Sequence, residues 1–320
     1  NEPCCFLAFF DLSTSHEYLR NASELCKNGM YAELSEYEFH VFLNFRILED
    51  TPAGDWSQLC TNLAGKGVRS LEEELIQLQN QPLISTFETC LQNITVLSGE
   101  TALLETALEQ YVARFPVTAV QELDHAGILK SLVAAWNPAV VRKTIRLLRA
   151  AGVTRSTLPL TLHNRRIALA TLVTRLLALP LTDDALHSFG WGRSLSAYVS
   201  GAPQADHQTE EWIIELCQAV ALGWKIMTTV SEESFLPHLF ANRQISRFLL
   251  VHDASASTWF NKERLEELLK WLTLFNVFER AQGIATSTLQ TSELVQLAAA
   301  AGYRVPTMLQ LTKKLGENAV

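Results

Sequence analysis

Hydrophobic and polar positions alternate along residues 37–46, which read YEFHVFLNFR. Apolar or aromatic side chains occupy one side of this two-residue period, at Tyr37, Phe39, Val41, Leu43 and Phe45. The other side carries polar side chains, with Phe42 as the exception, at Glu38, His40, Asn44 and Arg46. This alternation is typical of a half-buried β-strand, because successive side chains of a strand point to opposite faces. Since an apolar run and turn-favouring residues precede it, we predict two or three strands within residues 1–50.

Beyond residue 58 the pattern changes to the period of an amphipathic α-helix. The clearest helix follows Asn261, where leucines recur at spacings of three and four residues until Gly283. Ser70 with Glu73 three residues later is a capping-box arrangement, which predicts another helix start. Further helices are predicted at about 83–92, 101–115, 120–136, 139–150, 160–179, 208–229, 232–240, 242–251, 292–301 and 306–315.

These patterns predict a mainly α fold, a multi-helix bundle-like array with a small antiparallel β segment at the N-terminus. We predict a β segment over residues 1–50, a helical domain over 51–200 and a second helical subdomain over 201–320. The stretch GAPQADHQTE is the candidate linker between the helical parts, since turn-favouring residues dominate it. A sheet this small is marginal alone, so we expect the chain to be a piece of a longer protein that supplies partner strands.

The composition of the 320 residues is that of a globular protein, with 48% hydrophobic and 19% charged residues. No apolar run approaches the roughly 18 residues of a membrane span, so we predict no membrane partner. Six cysteines occur without a CxxC pair or a Cys/His spacing suited to zinc. We therefore predict reduced thiols in a cytoplasmic protein, with no metal site and no cofactor.

The formal net charge of −8 argues against a general nucleic-acid-binding protein. The charge is unevenly distributed, because residues 125–182 contain nine Lys or Arg residues and no Asp or Glu. One interpretation is a basic helical layer that packs against the acidic remainder. The other is a surface for an anionic partner, with the candidate residues Arg142, Lys143, Arg146, Arg149, Arg165 and Arg166.

The sequence carries no recognisable catalytic motif: no nucleophile elbow, zinc-protease, phosphate-loop or dinucleotide signature occurs. We therefore assign no catalytic residue, and whether the chain is itself an enzyme is left open.

Three side chains are candidate ligand contacts. His40 lies on the polar side of the predicted strand, and Phe189 and Trp191 belong to the stretch FGWG, whose glycines predict a flexible loop. The alternative for each is simple packing or an ordinary surface position.

Three stretches of the sequence resemble parts of a known family. FLAFFDLSTSHEYLR, and the stretch from GMYAELSEYEFHVFLNFR to GKGVRSLEEEL, are similar to the region that follows the catalytic barrel in long bacterial α-amylase-family glycoside hydrolases. In that family, closing strands of a small antiparallel β domain carry a tyrosine, an acidic residue and a phenylalanine, then an apolar run ending in Phe-Arg. Here the pattern reads Tyr37, Glu38, Phe39 and then Val41 to Arg46. TWFNKERLEELLKWL is similar to a helical extension of some long members.

The resemblance implies a non-catalytic C-terminal accessory region of an α-glucan hydrolase, which stabilises or oligomerises the enzyme or contacts the glucan. Its partners would be the upstream catalytic barrel of the same polypeptide and an α-glucan. The family's catalytic carboxylates would lie in that barrel, and none corresponds to a position here. Two alternatives are a free-standing helical protein-interaction adaptor and an enzyme without a recognisable motif.

Overall fold

The structure is a computed structural model that describes residues 5–31, 34, 36–37, 39–96, 138–150, 162–202, 206–254, 257–284 and 291–318. These residues form fourteen α-helices and five β-strands, so the chain is mainly α, as predicted. The helices predicted at 101–115 and 120–136 lie outside the described residues. The chain divides into two compact units, Asn1–Ile84 and Ser85–Val320, and the division falls in the first turn of a helix that begins at Gln81.

A three-stranded antiparallel sheet with the order β2–β1–β3 forms the base of the first unit. Its strands are β1 (Cys5–Asp11), β2 (His16–Asn21) and β3 (Phe42–Glu49). The apolar run CFLAFFD suits the central position of β1, because side chains on both faces of this strand are buried, Phe6 and Ala8 on one face and Phe9 on the other. Helix α1 (Ala22–Asn28) follows β2, and the Asn21 side chain accepts hydrogen bonds from the first backbone N–H groups of this helix.

The strand predicted at residues 37–46 is confirmed only in its second half. β3 begins at Phe42, whereas Tyr37 lies in a turn with a left-handed φ of 66°. The alternating pattern therefore extends past the point where pairing with β1 ends. Within β3, Asn44 has φ 54° where the register shifts between Ala8 and Phe10 of β1, which is a β-bulge.

Two helices, α2 (Asp55–Leu63) and α3 (Leu71–Gln79), belong to the first unit and pack on β2. The Ser70 side chain accepts a hydrogen bond from the Glu73 backbone N–H at 3.3 Å, which confirms the predicted start of α3. The helices and one face of the sheet enclose an apolar core of Phe6, Ala8, Leu19, Leu59 and Leu71. The predicted boundary at residue 50 therefore lies inside this unit.

The two edges of the sheet differ. Glu17 of β2 and Val68 exchange two backbone hydrogen bonds, of 2.6 and 2.8 Å, which occupy the outer edge of β2 at this position. The Glu17 carboxylate also accepts hydrogen bonds from the Arg46 guanidinium at 2.8 Å and from the Leu71 backbone N–H at 2.7 Å. Among the described residues, no strand pairs with the outer edge of β3. The outer edge of β2 is thus covered at Glu17, and the described outer edge of β3 is open.

The second unit is an array of helices with one short hairpin. The helices are α4 (Gln81–Val96, which starts in the first unit), α5 (Pro138–Ala150), α6 (Leu162–Val173), α7 (Ala185–Ser188), α8 (Trp191–Ser200), α9 (His207–Thr229), α10 (Glu232–Ala241), α11 (Arg243–Phe248), α12 (Lys262–Gln282), α13 (Thr291–Ala300) and α14 (Val305–Asn318). A π-helical turn, Thr174–Ala178, continues α6. The hairpin consists of β4 (His252–Ala254) and β5 (Ser257–Trp259).

Helix α9 is the central element of the second unit, because it packs against α6, α8, α10, α11 and α12. Its middle, IIELCQAVALGW, is apolar almost all round, as a buried helix requires. The predicted helix after Asn261 is confirmed: the Asn261 side chain accepts a hydrogen bond from the Arg264 backbone N–H, and Gly283 ends α12 with φ 84°. None of the described helices is long and apolar enough to cross a bilayer.

Candidate functional site

A cleft of about 410 Å³ lies against the sheet of the first unit, and we call it the sheet cleft. Its walls come from all three strands, from α1 and from the segment that follows α1. The residues that line it are Phe9, Asp11, Tyr18, Arg20, Asn21, Glu24, Leu25, Asn28, Gly29, Met30, Tyr31, His40 and Phe42. Phe9 and Tyr18 point away from the face that carries Ala8 and Leu19, because side chains alternate along a strand. The sheet cleft therefore lies on the face opposite the apolar core.

Aromatic rings form the floor of the sheet cleft. The rings of Phe9 and Tyr18 are stacked, with centroids 5.5 Å apart and planes inclined by 12°. Phe42 meets Phe9 edge to face at 5.2 Å. The Arg20 guanidinium lies 5.4 Å from the centre of the Tyr18 ring. Phe42 is nearly perpendicular to Phe9, and Phe9 is only 3% exposed, so Tyr18 and Phe42 present the ring surface that a ligand can reach. The contacts hold these rings in fixed orientations.

A buried carboxylate lies at one end of this floor. Asp11 is 1% exposed. Its oxygens accept hydrogen bonds from the Ser13 hydroxyl (2.6 Å), the Ser13 backbone N–H (3.0 Å), the Thr14 hydroxyl (3.2 Å) and His40 Nδ1 (2.6 Å). Burial raises the pKa of Asp11, but the hydrogen bonds from Ser13 and His40 outweigh burial and lower its pKa to about 2. Asp11 is therefore ionised at neutral pH.

Asp11 determines which nitrogen of His40 carries a proton. An ionised carboxylate only accepts hydrogen bonds, so His40 Nδ1 is the donor in the 2.6 Å contact with Asp11. In the neutral ring, Nε2 is then an acceptor. The imidazole also stacks on Phe42, with ring centres 5.7 Å apart and parallel planes. Both contacts fix the ring in the wall of the sheet cleft.

The chemistry of the sheet cleft suits a ligand whose rings have apolar faces and carry hydroxyl groups. Its floor offers aromatic faces, on which the apolar faces of sugar rings stack. Its walls offer a guanidinium, a carboxylate, two amides and an imidazole, from Arg20, Glu24, Asn21, Asn28 and His40. Such groups donate to and accept from hydroxyls. Among the described residues, no group of three or more side chains could hold a metal ion.

Exposed apolar side chains lie on β3 and just before it, and we call them the apolar strip: Tyr37, Phe39, Leu43, Phe45 and Ile47. Ile47 is 76% exposed and Phe45 is 54% exposed, although both lie in a strand. An open edge strand with exposed apolar residues is a typical site of contact with another polypeptide. The apolar strip is therefore a second candidate site of the first unit.

Trp191 and Phe189 lie in the second unit. FGWG is not a loop around an exposed indole, because Trp191 is the first residue of α8 and is fully buried. Its ring stacks on Phe87 with centroids 4.7 Å apart, and Phe189 lies 4.9 Å from it. Gly190 caps the helix with φ 72°. Trp191 and Phe189, two of the three predicted ligand contacts, therefore pack against each other. The third predicted contact, His40, lines the sheet cleft.

The predicted basic residues are divided between two helices. Arg142, Lys143 and Arg146 are exposed on α5, which packs against α12. On α6, Arg165 is exposed and Arg166 is partly buried. The side chain of Arg149 lies outside the described part of the structure. The three exposed cations of α5 form a basic face, and they remain candidate contacts for an anionic partner.

Most residues of the sheet cleft were not predicted from the sequence. The alternation of HEYLRN places Tyr18 and Arg20 on one face of β2, and the turn DLSTS places hydroxyls next to Asp11. These signals could have identified part of the floor. Glu24 and Tyr31 could not be found in this way, because only the path of the chain after β2 brings them to the same cleft.

Comparison with protein families, curated proteins and solved structures found no match for this chain.

Proposed function

We propose that this chain is a non-catalytic accessory region of an α-amylase-like α-glucan hydrolase, and that its sheet cleft contacts the glucan. The observation that carries the proposal is the combination of a fixed aromatic floor with hydrogen-bonding walls in one cleft of about 410 Å³. A glucose unit presents an apolar ring face and several hydroxyls, which match these two surfaces. The resemblance of YEFHVFLNFR to the closing strands of the family's β domain supports the same reading.

Tyr31 provides a direct test of glucan contact. Its side chain lines the sheet cleft and is 86% exposed, so its removal should leave the fold intact. We expect Tyr31→Ala to weaken the binding of maltoheptaose by about fivefold to tenfold, since an aromatic contact is lost. Isothermal titration calorimetry measures this affinity, with cellohexaose as the control for linkage.

Tyr37→Ala is the matched control, because Tyr37 is a fully exposed tyrosine that does not line the sheet cleft. It should bind maltoheptaose as tightly as the unmodified chain. Absence of maltoheptaose binding by the unmodified chain would refute the proposal. Equal losses in Tyr31→Ala and Tyr37→Ala would show that the sheet cleft is not the binding site.

The apolar strip supports the second part of the proposal, contact with the catalytic barrel region. Ile47 presents an aliphatic side chain that is 76% exposed at an open strand edge. We expect Ile47→Lys to weaken association with a supplied α-amylase-family barrel and its β domain by about tenfold, because a charge opposes strand pairing and apolar burial. Sedimentation velocity measures the association. A charge reversal in the second unit at the exposed Glu233, Glu233→Lys, should have little effect, and loss of association in both variants would contradict the assignment.

A helical adaptor is the second candidate function, and the basic face of α5 favours it. Arg142, Lys143 and Arg146 are all exposed on this helix. If this face binds an acidic protein, retention on immobilised polyglutamate should fall with salt and should be lost in the triple glutamine variant. The charge-matched control replaces the exposed residues Lys27, Lys66 and Arg193 by glutamine. Equal retention of both triple variants would exclude this function for α5.

A further inference from the structure

A second cleft, of about 490 Å³, lies in the helical unit, and we call it the hairpin cleft. It is formed by the β4–β5 hairpin, the residues around the start of α12 and the turn before α14. The lining residues are Leu250, His252, Trp259, Phe260, Asn261, Lys262 and Tyr303. Three of these seven side chains are aromatic, so the hairpin cleft also offers flat ring surfaces.

The indole of Trp259 is held rigidly in this cleft. Its Nε1–H donates a hydrogen bond to the Ala254 carbonyl at 3.0 Å, across the hairpin. The Arg304 guanidinium lies 5.5 Å from the ring centre, and a backbone bridge joins Arg304 to Trp259. The Phe260 backbone N–H donates to the Tyr303 carbonyl at 3.1 Å. These contacts bring Trp259 and Tyr303 into one wall.

Two residues of the hairpin cleft have unfavourable backbone conformations. Leu250 has φ 53° and Tyr303 has φ 59°, in the left-handed region that side chains with a Cβ rarely adopt. The Leu250 side chain is also 49% exposed, which is unusual for leucine beside a packed core. Both residues follow the ends of helices, where the backbone hydrogen bonds from Val251 to Ser246 and from Tyr303 to Ala298 hold this conformation, so the helix ends fix the shape of the cleft wall.

The polar groups at the rim suit a hydroxylated ligand. His252 Nδ1 lies 2.9 Å from the Leu250 carbonyl, so Nδ1 carries the proton and Nε2 of the neutral ring is an acceptor. Lys262 Nζ lies 3.8 Å from a Glu266 oxygen, which balances the charge of the ammonium. The rim therefore offers one acceptor and one donor for hydroxyl groups, and the Arg304 guanidinium lies beside them on Trp259.

We propose that the hairpin cleft is a second α-glucan contact site, in which a glucose ring stacks on Trp259 and Tyr303 and its hydroxyls bond to His252 and Lys262. This inference rests on the proposed function for its ligand class, but it uses none of the residues of the sheet cleft. One chain then holds a glucan at two separate places.

The test follows the indole N–H signals of the seven Trp residues by NMR during titration with maltoheptaose. The signal of Trp259 is identified by its loss in Trp259→Phe. We expect this signal to shift in the unmodified chain and also in Tyr31→Ala, whose sheet cleft is impaired. The signal of Trp191, which is fully buried elsewhere in the unit, is the internal reference and should not move.

His252→Ala measures how much one side chain contributes to affinity at the hairpin cleft. His252 is exposed, so its loss should not unfold the hairpin. We expect about threefold to tenfold weaker binding at the hairpin cleft, read from the Trp259 shift, with unchanged binding at the sheet cleft. If maltoheptaose binds and Tyr31→Ala weakens it while the Trp259 signal stays still, the hairpin cleft is refuted and the proposed function stands. If no signal moves and no heat is released, both are refuted.

Discussion

At the scale of single residues, Asp11 organises the sheet cleft. It is almost completely buried, yet it stays ionised because Ser13, Thr14 and His40 donate hydrogen bonds to it. A buried carboxylate is stable only when its oxygens are satisfied in this way. The same hydrogen bonds fix the orientation of His40. Asp11 therefore stabilises the sheet and also fixes the geometry of the sheet cleft.

We expect Asp11→Asn to destabilise the first unit by about 1–3 kcal/mol, because an amide nitrogen cannot accept the hydrogen bond from His40. The pKa of Asp11 lies at about 2, below the ordinary 3.8, so its contribution is complete above pH 3.8 and is lost as the pH falls toward 2. Asp11→Asn should remove this acid dependence. Hydrogen exchange of the β1 amides as a function of pH measures both effects.

Glu72→Gln is the control for Asp11→Asn. The Glu72 side chain is 74% exposed and lies 3.5 Å from Arg46, so its loss should change stability by less than about 1 kcal/mol. If Asp11→Asn is no more harmful than Glu72→Gln, the carboxylate does not hold the sheet together.

Single residues also show where sequence patterns mislead. The glycines beside Trp191 indicated a flexible loop, but Gly190 serves as a left-handed cap and Gly192 allows close helix packing. The roles of both glycines depend on residues that are distant in the sequence, so a local sequence pattern could not reveal them. His40 was predicted on the polar side of a strand, but it lies before the start of β3, and its partner Asp11 lies 29 positions earlier. Sequence alone could not pair them.

At the scale of elements, helix ends were easier to predict than strand ends. Ser70 and Asn261 cap helices through side-chain hydrogen bonds to backbone three residues away, so the signal is local. The start of β3 depends instead on pairing with β1, and the chain before Phe42 takes a turn at Tyr37 despite a continuing alternation. The sheet cleft depends on that departure, because the segment between the turn and Phe42 is no longer part of the sheet, and His40 of this segment lines the cleft.

The crossing of α8 and α9 gives a test of element packing. A Cβ on Gly192 would lie 2.7 Å from Ile214 Cδ1, which is closer than carbon atoms approach. We expect Gly192→Ala to destabilise the second unit by no more than about 1 kcal/mol, because Ile214 Cδ1 is the movable end of a partly exposed side chain and alanine favours a helix over glycine. Urea denaturation followed by circular dichroism measures the free energy of unfolding.

Ile214→Val removes the Cδ1 atom that the new methyl group would meet. The double variant should therefore be more stable than the sum of the two single changes predicts, by about 0.5–1 kcal/mol. Simple additivity would show that the cost of Gly192→Ala comes from a source other than this contact.

At the scale of the whole molecule, the two units respond to acid in opposite directions. In the second unit, Glu279 is 7% exposed and lies 3.8 Å from Arg175. Burial raises the pKa of Glu279, and the opposing charge of Arg175 does not cancel this effect. The folded unit therefore holds a proton more tightly than the unfolded chain. Its stability from this group is greatest below pH 4.5 and falls as the pH rises through the raised pKa.

We expect Glu279→Gln to flatten the pH dependence of hydrogen exchange in α12 between pH 4.5 and neutrality, with no effect on β1. Asp11→Asn should flatten the pH dependence of hydrogen exchange in β1 and leave that of α12 unchanged. Each variant is therefore the control for the other. A parallel change of β1 and α12 in either variant would contradict independent titration of the two units.

The backbone bridge between Glu17 and Val68 has a consequence for assembly. It pairs one residue of β2 with Val68, whereas no described strand lies beside β3, so the outer edge of β3 is the longer free edge that the structure describes for a neighbouring polypeptide. Two copies that meet there around a two-fold axis would join their ladders into one continuous sheet.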